Sequence, residues 1–111
     1  MKFKVLIVVF LAALISGCAD PLPPEKMAYA GEWQSSEMAL LILTDGTVAY
    51  KRLKNGGTTS LNSQVKEFLG DDFVVGIGPF TTTFDVTEPP HLNNGQWQMV
   101  VDGVRLTKVV Q

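Results

Sequence analysis

Cysteine, histidine and positive charge are all scarce in this chain of 111 residues. With Cys18 as the only cysteine, no intrachain disulfide can form and no cysteine-based zinc or iron-sulfur site can be built. His91 is the only histidine, and no clustered carboxylate set accompanies it, so no metal-ligand spacing can be recognised and no metal is expected. The common nucleophile and base pairings reduce to a serine or threonine with His91 and an acid. Nine lysines and arginines stand against eleven aspartates and glutamates, for a formal charge of −2. Nucleic acid and electrostatic adhesion to anionic lipid both need a basic face, and this balance argues against either partner. Beyond Ile15 there is no apolar run long enough for a buried helix.

The first seventeen residues have a different character. Lys2 and Lys4 precede eleven consecutive apolar residues, Val5 to Ile15, and then Ser16, Gly17 and Cys18 follow. This is the charged, apolar and small-residue order of an export signal, and it is too short to cross a bilayer, which takes about 20 apolar residues. Residues 1–17 are therefore expected to be a cleaved signal peptide. Its removal leaves seven basic side chains against eleven acidic ones, moving the formal charge from −2 to −4.

The residues Ile15-Ser16-Gly17-Cys18 resemble the lipobox of bacterial lipoprotein precursors, in which an aliphatic and two small residues precede the cysteine. The resemblance implies recognition of Ile15, Ser16 and Gly17 by the signal peptidase, cleavage before Cys18, and diacylglycerol on the Cys18 sulfur. In a Gram-negative bacterium it also implies a third acyl chain on the new amino terminus. Two or three chains hold a protein firmly where one does not. No cofactor is expected other than this covalent diacylglycerol and N-acyl lipid. Ala19 stands where the lipoprotein pattern places Asp for retention at the inner membrane, so the expected location is the periplasmic face of the outer membrane. Residues 18–28 carry Pro21, Pro23 and Pro24 and read as a lipidated cysteine followed by an extended tether. Residues 29–111 are left for the folded domain.

That domain reads as a series of hairpins. Gln96 to Val101 meets Val104 to Val109 across Asp102-Gly103, a dipeptide that accepts positive φ at both centres of a tight turn. Val101 then opposes Val104 and Met99 opposes Leu106, giving a core face and a water face. Asp45-Gly46 joins Met38–Leu43 to Val48–Leu53 in the same way, and a two-residue loop sets Val48 and Tyr50 against Leu43 and Leu41. Phe80 to Thr87 alternates, with Phe80, Phe84 and Val86 inward, and Phe73 to Ile77 precedes it. From Leu61 to Leu69 the apolar residues also fit helical spacing; a strand over Val65 to Leu69 is the preferred reading. With a strand around Glu32 to Ser35, the expectation is an all-β domain of about seven or eight short strands, an up-and-down antiparallel meander closing into a barrel or half-barrel. Gly31-Glu32-Trp33 is similar to the Gly-x-Trp opening of lipocalins and related calycin barrels, and from this similarity we take an architectural hint.

Candidate sites are few. Glu88 and His91 fall on the longest expected loop, Glu88 to Gly95, and form the one conceivable catalytic pair. Asp71-Asp72 reads as a solvated turn, and the basic run Lys51, Arg52, Lys54 as edge protection against pairing with another chain. The leading functional expectation is a noncatalytic membrane-anchored envelope lipoprotein that binds an envelope protein or supports an assembly. The alternative is a lipocalin-like binding module for a small apolar ligand, and an enzyme using Glu88 and His91 comes third.

Overall fold

A computed structural model describes residues 21–54 and 56–109. The expected signal peptide, the expected cleavage site and Cys18 lie outside the described residues. A 3-10 turn over Pro24–Tyr29 leads into nine antiparallel strands: β1 (Gly31–Gln34), β2 (Met38–Ile42), β3 (Thr47–Lys54), β4 (Gly57–Leu69), β5 (Asp72–Ile77), β6 (Phe80–Phe84), β7 (Val86–Asn93), β8 (Gln96–Val101) and β9 (Val104–Lys108). They form one sheet in the order β6-β5-β4-β3-β2-β1-β9-β8-β7, so β2 is the middle strand and the meander returns to the far side of β1, where β9 pairs with it. The expected seven or eight strands are nine. Among the described residues no helix is long and apolar enough to cross a membrane.

The sheet is curled into a half-barrel by its own connectivity. β6 and β7 lie at opposite edges yet are separated by Asp85 alone, so one run of chain leaves one edge and becomes the other. Once round the pairings, the register is displaced by about a dozen residues, a steep stagger of the kind that tilts strands by roughly 35–45°. Two aspartates clasp the join. The Asp72 carboxylate accepts the Val86 N–H at 2.7 Å, and that of Asp102 accepts the Asp85 N–H at 2.9 Å. The Asp85 carbonyl in turn accepts the Asp102 N–H at 2.7 Å. Val86 is buried, so Asp72→Ala leaves its N–H without the carboxylate. The expected loss is about 1–3 kcal/mol in chemical denaturation, and Asp72→Asn, which keeps an acceptor oxygen, is expected to recover most of it.

The two Asp-Gly turns differ. At Asp102-Gly103 both residues have positive φ, 50° and 81°, and Val101 opposes Val104 as the two-residue loop demands. At Asp45-Gly46 only the glycine does, at 93°. The Asp45 carboxylate accepts the Thr47 N–H at 2.9 Å, and Leu43 accepts from Gly46 across a three-residue loop. The register therefore moves by one residue from the expected one. Ile42 opposes Val48 and Leu40 opposes Tyr50, while Leu41 and Leu43 face out.

The core runs along the inner face, with Trp33, Phe73, Phe84, Leu40, Ile42, Val48, Val75, Met99, Val101 and Leu106 all under 2% exposed. One end is plugged. The chain expected to be an extended tether is, from Leu22 onward, part of the fold. Leu22 is buried and its N–H bonds to Thr44, and the prolines start the 3-10 turn that drops Tyr29 against Phe68 and Phe73 at ring distances of 5.2 and 6.0 Å. The Tyr29 hydroxyl donates to the Asp71 carbonyl at 2.7 Å. Burial, followed by the charges of Asp71 and Asp72, pushes its pKa up from 10.0 to about 12. Because the folded value lies above the unfolded one, this contribution is complete below pH 10 and is lost as the pH climbs through 12. Tyr29→Phe is expected to cost about 0.5–1.5 kcal/mol at neutral pH and to flatten the decline in that alkaline window, read from denaturant titrations at stepped pH.

Candidate functional site

At the other end the inner face is not filled. Leu61 and Ser63 of β4, Val75 and Ile77 of β5, and Phe80 and Thr82 of β6 line an open cup of about 650 Å³. Cross-strand pairing sets Val75 opposite Thr82 and Ile77 opposite Phe80, and strict alternation carries the face of Phe73 and Phe84 up to this mouth. Gly76 lets the wall close. A Cβ at that position would lie 2.4 Å from the Phe80 carbonyl oxygen. The expected inward Phe80 is thus on the inner side but 81% exposed, and Ile77 beside it is 66% exposed, because both stand at the rim above the packed layer. A ladder of rings runs from core to cup: Phe73 stacks on Phe84 at 5.0 Å, and Phe84 meets Tyr50 edge-on at 5.0 Å.

Two polar side chains on this inner face have unused donors. Ser63 is 6% exposed, and its hydroxyl has no hydrogen-bond partner among the described residues. Arg52 lies two residues past Tyr50 on the same face of β3, opposite Met38 on one side and Thr59 on the other, and its Nε is buried without a partner among the described residues. This corrects the reading of Lys51, Arg52 and Lys54 as edge protection: β3 is paired on both sides, and alternation turns Arg52 inward. The even spacing of Val48, Tyr50 and Arg52 carries this inward placement in the sequence, where a charged side chain by itself signals a solvent-facing position.

Glu88 and His91 are elsewhere. The long loop expected to carry them is strand β7, at the outer edge of the sheet, with register irregularities on either side of Glu88. Pro89 and Pro90 are tolerated there because an edge strand does not use every N–H. Arg105 grips Glu88 with two bonds of 2.8 and 3.1 Å, which, ahead of the charge of His91, hold the Glu88 carboxyl below the usual range. His91 Nε2 is 3.7 Å from Glu88, and its Nδ1 is 2.9 Å from the Pro89 carbonyl oxygen. Glu88, Arg105 and His91 thus form an exposed polar cluster on the edge strand, and among the described residues no serine or threonine hydroxyl is hydrogen-bonded to His91.

No family model, curated protein or solved structure matches this chain. Asp72 and Asp102 are committed to the clasp, and Asp45 to its own turn. Among the described residues no three His, Cys, Asp or Glu side chains gather as a metal ion would need. Trp33 is fully buried, donates from its indole N–H to the Tyr29 carbonyl at 2.9 Å, and lies under the Lys108 ammonium at 4.9 Å from the ring centroid. It plugs the packed end of the barrel, and burial of the ammonium against it lowers the Lys108 pKa. The cup is a concave, mostly apolar feature with one unpartnered buried hydroxyl, that of Ser63, in its wall, and a small-molecule site has this character.

Proposed function

We propose that this chain is a noncatalytic lipoprotein of a bacterial envelope, held at the outer membrane through acyl chains on Cys18, whose β domain takes the apolar part of a small ligand into the cup. One observation carries the binding role. The inner face of β4 to β6 leaves about 650 Å³ open where the rest of the same face is packed, and this lies within the span of about 300–1,000 Å³ usual for ligand sites. The noncatalytic reading draws on Glu88, whose two carboxylate oxygens are both engaged by Arg105. A second reading, docking of an envelope protein, draws on the exposed rim formed by Ile77 and Phe80, since an apolar side chain of a partner would seat there as an alkyl group would.

Native mass spectrometry of the domain, incubated with an envelope lipid extract or with a fluorescent naphthylamine, tests the ligand reading. Saturable binding of one molecule supports it; no adduct and no fluorescence change would turn the assignment toward the protein partner. The anchor has its own test. With Cys18→Ala, the chain is expected to take up no labelled palmitate and to leave the membrane fraction, while in cells bearing the natural sequence globomycin causes the precursor to accumulate.

A further inference from the structure

The short reach between Cys18 and the folded domain decides which end of the barrel meets the lipid. Leu22 is already docked, its N–H on the Thr44 carbonyl. Four residue steps separate it from Cys18, and a chain that short spans at most about 14 Å. The plugged end is where Leu22 sits, together with the turns that follow β2, β4 and β7; antiparallel alternation sends the turns that follow β3 and β5 to the opposite end, the latter to the rim of the cup, while the turn that follows β8 lies at the clasp. Lys26 reaches the Gly70 carbonyl at 2.7 Å and Lys108 the Ala28 carbonyl at 3.3 Å, which ties the β4–β5 turn and the end of β9 to the same 3-10 turn.

This end also carries apolar side chains that the fold leaves partly exposed, Trp97 among them with the Lys108 ammonium 5.6 Å from its ring centroid. Met27 on the 3-10 turn, Leu43 beside the β2–β3 turn, Leu69 beside the β4–β5 turn, and the cross-strand pair Leu92 and Trp97 beside the β7–β8 turn are between 40 and 61% exposed. Each belongs to a different part of the chain, yet all lie at the end from which Cys18 is reached. We infer that the plugged end of the barrel rests on the bilayer, with these residues in the headgroup boundary, and that the cup opens away from the membrane. Tryptophan and leucine are suited to that boundary. Glu25, Asp45, Glu67 and Asp71 stand at this end with Lys26, Lys66 and Lys108, so it carries no excess of positive charge and the contact is hydrophobic, not a matter of charge attraction.

This orientation rests on the lipid anchor of the proposed function, and the two are separable by experiment. The acylated protein has no other cysteine, so a single cysteine introduced at an exposed position is the only free thiol. Leu69→Cys and Leu92→Cys at the plugged end, and Ile77→Cys and Phe80→Cys at the cup, are each labelled with a nitroxide. The labelled protein is placed in phosphatidylethanolamine/phosphatidylglycerol vesicles. Labels at 69 and 92 are expected to be relaxed more by oxygen than by a water-soluble nickel chelate, with no change between low and high salt, and labels at 77 and 80 the reverse. Lipid contact at 77 and 80, or water-like accessibility at all four positions in a protein shown to carry palmitate, overturns the orientation and leaves the anchor standing. A chain that takes up no palmitate overturns the anchor itself.

Discussion

Trp33→Ala is expected to leave the domain barely folded at growth temperature, with a loss of about 3–5 kcal/mol. At about 0.05–0.15 kcal/mol per residue, a domain of this size has roughly 4–13 kcal/mol in total, so one side chain accounts for a large share. The loss has three parts. The largest is the cavity left under β1 by a fully buried indole. The second is the bond from the indole N–H to the Tyr29 carbonyl, which fixes the 3-10 turn against the barrel. The third is the ring face beneath Lys108, whose ammonium is already partly desolvated. Thermal melts followed by circular dichroism are expected to show a drop of at least about 15 °C. Trp33→Phe separates the parts: it keeps most of the packing, forgoes the hydrogen bond, and is expected to recover more than half of the loss. A melt of Trp33→Ala within a few degrees of the parent would show that the plug is not what holds the half-barrel together.

Much of this fold was legible because hairpin chemistry is local. Asp102-Gly103 between alternating residues fixed both a turn type and a register, and Phe84 and Val86 faced inward as their alternation predicted. The register of the first hairpin slipped because the same dipeptide has two uses. The Asp45 carboxylate is free to bond to Thr47, which favours the three-residue loop, whereas that of Asp102 is taken by Asp85, seventeen residues away in sequence. No local rule contains that second partner. β4 was obscured by its own bulge. Leu61, Ser63 and Val65 alternate, the irregularity between Val65 and Glu67 adds one residue, and Phe68 then takes the inward place. The resulting spacing of Leu61, Val65 and Phe68 imitates a helical face.

The cup was harder to see than the fold, for a related reason. Its walls are ordinary strand residues, and it exists only because the stagger of the barrel lifts the β5–β6 hairpin above the packed layer. Register shows that lift, and register needs every pairing at once. Thr82 looks like any outward threonine until Val75 is placed opposite it. Glu88 and His91, by contrast, attracted attention as residue types while their strand faces solvent.

Filling the cup separates its two possible uses of space. Thr82 is exposed, lines the cup on the inner face and stands opposite Val75. Thr82→Trp places an indole over Leu61 and Ile77, so binding of a naphthylamine probe is expected to weaken by at least about tenfold. Because the added ring covers apolar surface that the parent leaves wet, stability is expected to stay level or to rise by up to about 1–2 kcal/mol. Loss of binding without loss of stability is a result that general damage to the fold cannot produce. Thr83→Trp, one residue along and on the outer face, is the control and is expected to leave binding unchanged. If Thr82→Trp binds the probe as the parent does, the probe sits elsewhere, and the wet face of β4 to β6 is a surface for a protein partner and not a container.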